Sequence, residues 1–276
     1  MKLTSITYGL LFLFSTGIVS GQNDGFLNEK APSENPYAVN YESSLRNIIL
    51  GGGALSLGAY FVSDIDPFTE QELLSLDVRS INGLDRGAAY RNNINSGIWS
   101  DRLRNGTYFL PAILLLSKNM RHEFQDILLI SAQTYLLNAG ATTLFKGGFS
   151  RARPLTYNQE YALEERTAVS GKLSFFSGHT SSTAVMSFMT AKFFHDFYPD
   201  SPLRPYIWGA AGLTTATVAW LRYDAGKHWT SDVIVGAGVG ALLGILVPQS
   251  YKKRQFKNIS YQLTGSNSGL GLVLTF

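Results

Sequence analysis

Residues 127–154 read ILLISAQTYLLNAGATTLFKGGFSRARP. Positions 127–145 carry no Asp, Glu, Lys or Arg, and the run ends abruptly in Lys146, Arg151 and Arg153-Pro154. Strands are usually about 5–6 residues long, so an uncharged run of this length reads as a buried helix. Five more charge-free blocks follow the same pattern, at residues 47–63, 105–117, 173–191, 205–221 and 233–251. Six such blocks predict an all-α, six-helix bundle over residues 46–250.

Block length alone leaves open what surrounds the bundle. A membrane span needs about 20 mostly apolar residues, whereas these blocks are rich in Ser, Thr and Gly, and 105–117 is short. Gly236, Gly240 and Gly244 recur at four-residue spacing, a small-residue face of the kind that lets helix backbones approach in lipid. A membrane-embedded bundle is therefore the expected architecture. A compact soluble helical core, which also uses small residues at its crossings, is the alternative.

Composition narrows the function. Of 276 residues, 45% are hydrophobic and 16% charged, against about 25% charged in an ordinary soluble domain. The 23 basic and 20 acidic residues nearly cancel to +3, too even a balance for a chain that coats nucleic acid. The absence of cysteine removes disulfides, thiolate metal sites and cysteine nucleophiles. The apolar content is enough to bury a large core, which excludes disorder, and the 27 glycines follow no collagen-like period.

The flanks read differently. Met1-Lys2, the apolar run 8–19 and the small residues Val19-Ser20-Gly21 predict a signal peptide over residues 1–21, cleaved near Gly21-Gln22. An uncleaved anchor is the alternative. Residues 22–45, with Pro32 and Pro36, read as an extended lead-in. Residues 64–104 carry seven acids and five bases; there Thr69 and Glu72 form a capping-box pattern that predicts a surface helix carrying Leu73, Leu76 and Ile81, as a lid or packing element. The tail, residues 251–276, is basic at Lys252, Lys253, Arg254 and Lys257. By the positive-inside rule it would be cytoplasmic in a membrane protein. Alternation over 269–276 after the turn residues Asn267-Ser268-Gly269 predicts a short C-terminal β-hairpin.

Three clusters sit at block ends, where a bundle brings them to one face. The first is Lys146, six residues, then Arg153-Pro154; bases after an apolar run often only stop translocation. In the second, Ser177-Gly178-His179-Thr180, a flexible turn feeds a helix N-terminus, whose free N–H groups and dipole suit an anion. The third is Arg222, five residues, His228, three residues, Asp232. Positions four apart share a helix face, so Asp232 could accept a hydrogen bond from His228 and sharpen its free nitrogen as a nucleophile. A lone His–Asp pair is more often structural.

In order and spacing the three clusters together resemble the signature of the type 2 phosphatidic acid phosphatase and vanadium haloperoxidase superfamily, over residues 127–248. Two positions depart from it: Phe176 stands where the family commonly has Pro, and Leu221 where it commonly has Ser. The resemblance implies that Lys146, Arg153 and Arg222 form a cationic cradle for phosphate, with Ser177 and the Gly178 amide binding its oxygens. It further implies that His228 attacks phosphorus to give a phosphohistidine, that Asp232 holds the tautomer of His228, and that His179 protonates the leaving group and then activates water. No metal and no cofactor are expected: a site built on His179, His228 and Asp232 would set three cations against a divalent ion with one carboxylate to offset them. His122 and His195 are expected at the surface, and Arg151 and Lys172 as solvated loop charges.

The expected function is hydrolysis of lipid phosphate monoesters or diphosphates at the periplasmic side of the inner membrane. The partners are then a phosphorylated lipid and the membrane. A soluble periplasmic acid phosphatase is the alternative, and a vanadate-dependent haloperoxidase ranks behind both. One conflict stays open. A cytoplasmic basic tail with periplasmic clusters starts the first block inside the cell, whereas a cleaved signal peptide leaves Gln22 outside.

Overall fold

The computed structural model describes residues 35–253, 260–266 and 269–275. The expected signal peptide, the first part of the lead-in, the tail residues Arg254 and Lys257, and the turn residues Asn267 and Ser268 lie outside them. Six helices of fourteen residues or more run through the described chain: α1 (Tyr41–Ser63), α2 (Ile94–Thr107), α3 (Phe124–Phe149), α4 (Gly178–Phe197), α5 (Arg204–Asp224) and α6 (Thr230–Tyr251). Their starts are chemically marked. Asn40, Asn93 and Ser177 accept backbone N–H bonds at the N-caps of α1, α2 and α4, and a proline opens α5, where its missing N–H costs nothing.

Five of the six charge-free blocks fall within or mostly within one helix each. The block 105–117 does not make a helix of its own. Asn93 at the start of α2 bonds Asp224 at the end of α5, and Ser117 bonds Tyr198 just past the end of α4. The chain therefore crosses the bundle over residues 94–117 in pieces, as α2, the turn of helix Leu110–Ile113 and the 3-10 turn Leu114–Leu116. Pro111, which has no N–H to donate, sits in the first turn of the second piece. The charges of α2 belong to the first half of this crossing, so a count of uncharged residues finds only its second half.

Glycine contacts fix the helix directions. A Cβ on Gly51 would strike Leu136 and Leu137, and one on Gly58 would lie 2.4 Å from the Leu144 nitrogen, so α1 runs parallel to α3 in contact. In the same way Gly236, Gly240 and Gly244 abut the backbone at Ser177, Ser181 and Val185, with virtual Cβ contacts of 2.6, 2.3 and 2.8 Å. The small-residue face read from the sequence is the seam between α6 and α4.

The two ends of the bundle differ in character. One end holds the apolar core, built on Tyr37, Ile127, Ile130, Met189, Phe193, Phe197 and Tyr251. There the lead-in meets the end of α6: Ala38 donates to the Tyr251 carbonyl at 2.9 Å and Lys253 to the Pro36 carbonyl at 2.9 Å. The buried carboxylate of Asp196 accepts from Lys192, Tyr37 and Lys252 at the same end. The other end gathers the start of α4, the end of α5 and the start of α6, with the loops of residues 64–93 and 150–177.

Outside, the bundle is apolar. Ile48, Ile49 and Leu57 on α1, Leu128 and Leu129 on α3, Leu213 and Trp220 on α5, and Ile234, Leu242 and Leu246 on α6 all stand exposed. Three helical segments, Tyr41–Ser63, Phe124–Tyr157 and Thr230–Tyr251, are long and apolar enough to cross a membrane. An exposed apolar belt of this extent would aggregate in water and is satisfied by lipid tails. The fold is an all-α membrane bundle. At the C-terminus, strands β1 (Ser260–Ser266) and β2 (Gly269–Thr275) pair antiparallel, with Ser260 opposite Thr275.

The loop of residues 64–93 corrects one expectation. The Thr69–Glu72 capping box forms, with Thr69 N–H donating to Glu72 at 2.7 Å and Glu72 N–H donating to Thr69 at 3.1 Å. The helix it starts is only Glu70–Ser75, and the backbone is already extended at Leu76. Ile81 lies beyond it, after a separate 3-10 turn, Val78–Ser80.

Candidate active site

At the loop-rich end the three sequence clusters converge. The Lys146 ammonium and the Arg153 guanidinium both donate to the Leu173 carbonyl, at 2.8 and 3.3 Å. Arg153 also reaches the carbonyl of Lys227, the neighbour of His228, at 3.4 Å. Gly178 closes this wall: a Cβ there would sit 3.0 Å from Thr142 and 3.7 Å from the Lys146 side chain. Ser177, fully buried, caps α4 through its hydroxyl, and its N–H donates to the Asp232 carbonyl at 3.0 Å, tying the starts of α4 and α6 together.

Arg222 comes in from the last turn of α5, and a sharp reversal follows it. Gly226 takes φ +58, and a Cβ there would lie 2.1 Å from the Arg91 carbonyl, so only glycine fits. This turn delivers His228 to the centre of the site, 1% exposed. Burial, then Arg153, Lys146 and Arg222, push the His228 imidazole well below the ordinary histidine range. The ring is therefore neutral at physiological pH, as a nucleophile must be.

The His228–Asp232 pair differs from the sequence expectation. Nδ1 of His228 stands 3.5 Å from Asp232 Oδ2 without a hydrogen bond, and that nitrogen has no partner among the described residues. Asp232 lies in the first turn of α6, where its carboxylate is drawn to the helix start. Oδ2 accepts from the Trp229 N–H at 3.0 Å and from the Ser174 hydroxyl, and Oδ1 accepts from Arg151 at 2.6 Å.

Arg151 and Lys172 are also not the solvated charges expected. Arg151 bridges two buried carboxylates, Asp232 at 2.6 Å and Asp85 at 2.8 Å, and lies over the Trp229 ring at 5.5 Å. Asp85 in turn accepts from the Ser231 N–H and hydroxyl, each at 2.8 Å, and from Asn82 at 2.9 Å. Burial alone would raise the Asp85 carboxyl; the bonds from Ser231, Asn82 and Arg151 outweigh it and hold it below the usual range. Lys172 pairs with Glu72 at 3.6 Å and covers the Phe68 ring. Of the other histidines, His122 is exposed, whereas His195 is half-buried and bonded to Arg204 and Trp208.

Sequence reasoning missed the contribution of α2. Ser100, fully buried, accepts from Arg222 at 3.2 Å. Asp101 Oδ1 lies 3.2 Å from the same guanidinium and 2.7 Å from His179 Nε2. Its only signal was one acid in a charged stretch at the end of a crossing. A cleft of about 440 Å³ with Asp101, Arg222, Tyr161 and Lys227 in its wall opens beside this pair.

The outcome is a buried cationic hollow with unused donors. The Nε groups of both Arg153 and Arg222 are buried without a partner among the described residues, and such groups are rarely left unpaired. Among the described residues no three His, Asp or Glu side chains stand at metal-binding spacing. The hollow suits a tetrahedral oxyanion held by N–H and O–H donors.

Residues 127–256 match the sequence model of the PAP2 superfamily. A lipid A 4'-phosphatase of Porphyromonas gingivalis is 29% identical over 115 residues, which cover 40% of this chain and 44% of that protein. The chain thus matches less than half the length of this relative. A transmembrane PAP2-type phosphatidylglycerolphosphate phosphatase from Bacillus subtilis, known from its crystal structure, aligns with 78% of this chain and 98% of its own, at 19% identity and a TM-score of 0.42.

Proposed function

We propose, for a chain whose residues 127–256 match the sequence model of the PAP2 superfamily, that the hollow hydrolyses a phosphate ester carried on a lipid, without a metal. The observation that carries this reading is the pair of buried guanidinium Nε groups, without partners among the described residues, beside a buried, neutral imidazole. An in-line displacement at phosphorus spreads negative charge over the equatorial oxygens, and fixed donors aimed at those oxygens lower the barrier. Lys146, Arg153 and Arg222 neutralise that charge, and the Ser177 hydroxyl and Gly178 N–H complete the cradle.

His228 attacks phosphorus, forming the N–P bond of a phosphohistidine as the P–O bond to the lipid breaks. His179 gives its proton to the departing oxygen, then takes one from the water that cleaves the N–P bond and releases inorganic phosphate. Asp232 stabilises the charge that develops on His228 from 3.5 Å, while the start of α6 and Arg151 hold the carboxylate in place. A lipid substrate is favoured over a soluble ester by the apolar belt around the bundle. The named activity of the Porphyromonas gingivalis relative supports the same class.

The site is assigned to the periplasmic side of the inner membrane. The support is the basic tail at Lys252 and Lys253, which sits at the end opposite the hollow together with Arg121 and Arg204. A phosphate-release assay on lipid phosphates tests the chemistry. His228→Ala and His179→Ala each abolish turnover, and EDTA leaves the unmodified protein unaffected. Loss of activity on chelation, or full activity in His228→Ala, is incompatible with the scheme.

A further inference from the structure

The hollow contains one carboxylate that no motif supplies. Asp101, on α2, sits with a single oxygen 2.7 Å from His179 Nε2 and 3.2 Å from Arg222. The next residue back, Ser100, accepts from the same Arg222 nitrogen at 3.2 Å and donates to the Gly97 carbonyl at 2.7 Å. The α2 helix thus engages one edge of the guanidinium and leaves Arg222 Nε without a partner among the described residues. Asp101 likewise engages one nitrogen of His179 and leaves the other for an ester oxygen.

We infer that Asp101 is a positioning residue that fixes the general acid His179 relative to the phosphate-binding Arg222. The inference rests on the reading of His179 given above. A histidine on the first turn of a helix retains freedom about two side-chain torsions, and a general acid is effective only within hydrogen-bond reach of the oxygen it protonates. A carboxylate shared between the imidazole and the guanidinium removes that freedom. A carboxylate 2.7 Å from the ring also stabilises the imidazolium that a general acid must be before it gives up its proton. In the first step the proton leaves His179 for the ester oxygen as the P–O bond breaks; in the second, His179 recovers a proton from water. Asp101 stays a carboxylate throughout.

General-acid assistance matters most when the leaving oxygen is strongly basic. The test therefore compares two substrates in the full-length protein in detergent, a lipid phosphate whose leaving group is an alkoxide and nitrophenyl phosphate, whose phenolate leaves unaided. Asp101→Asn is expected to lower the single-turnover rate of leaving-group release from the lipid phosphate by about tenfold or more, with KM within about twofold and with the same rate on nitrophenyl phosphate within about threefold. Asp101→Glu should recover part of the loss. A purely structural defect would depress both substrates together, and that result overturns the inference. So does a rise in turnover accompanied by tighter inhibition by inorganic phosphate, which would make Asp101 a competitor for the anion site. His179→Ala serves as the reference, read in the same single-turnover release of the leaving group, which the water-activating step common to both substrates does not enter. If it shows the same leaving-group contrast and Asp101→Asn does not, the positioning role fails while the reading of His179 stands; if His179→Ala shows no contrast, that reading fails first.

Discussion

His228 combines two demands that conflict in water: it must stay unprotonated, and it must lie next to a dense anion. Burial and three neighbouring cations meet the first demand, and the same cations bind the anion. The acid limb of kcat/KM should consequently lie below the ordinary histidine value of about 6.5; a limb at or above that value in a pH profile of the free enzyme would contradict the neutral ring. Stability follows the same sign. Folded His228 takes up its proton at lower pH than unfolded His228, so its contribution is full above about pH 6.5 and fades as pH falls towards the folded value. Arg151 makes a second prediction at this scale. Truncating it to Ala leaves Asp85 and Asp232 buried without their shared counter-charge, and a loss of about 3–5 kcal/mol is expected, read as a lower thermal midpoint in detergent. Arg151→Lys, with one charge but no fork to span both carboxylates, should recover only part of that loss.

Among the elements, the seam between α4 and α6 decides whether Ser177 and Asp232 meet. Gly240 packs so close to Ser181 that a Cβ would sit 2.3 Å from its carbonyl, whereas a Cβ on Gly238 would meet open space. Gly240→Val should therefore part the two helices, cost about 1–3 kcal/mol and abolish turnover, while Gly238→Ala is neutral; equal effects of the two would show that the seam does not hold the site. This seam was legible in advance because four-residue spacing of glycine is a local pattern. So were the long helices other than α2, and the three clusters do meet at one end of the bundle, as their places at block ends imply. The α2 crossing was not legible, since its first half carries Asp101, Arg102 and Arg104 at the site end and its second half is broken by Pro111. The same charges hid Asp101, which acts through residues far away in the chain. Asp85 and Arg151 were hidden likewise, because a buried ion pair and a solvated one have the same composition.

For the molecule as a whole, orientation is the property on which the function depends, and two sequence signals oppose each other. The basic residues Lys252 and Lys253 argue that their end of the bundle is cytoplasmic, whereas a leader cleaved near Gly21 would put the lead-in outside. Tyr37 pairs with Lys252 across an isolated bridge, so the lead-in and the end of α6 share one side and the two signals cannot both set it. The hollow lies at the opposite end, and a lipid phosphatase working on the outer leaflet needs that end in the periplasm. The natural chain has no cysteine, so single substitutions report without background. Ser80→Cys, exposed in the loop beside the hollow, should react with a membrane-impermeant maleimide in spheroplasts. Asp200→Cys, exposed in the turn between α4 and α5 at the far end, should react only after lysis. The reverse pattern would place the hollow in the cytoplasm, assign the sidedness to the leader, and move the substrate to the inner leaflet without altering the chemistry at His228.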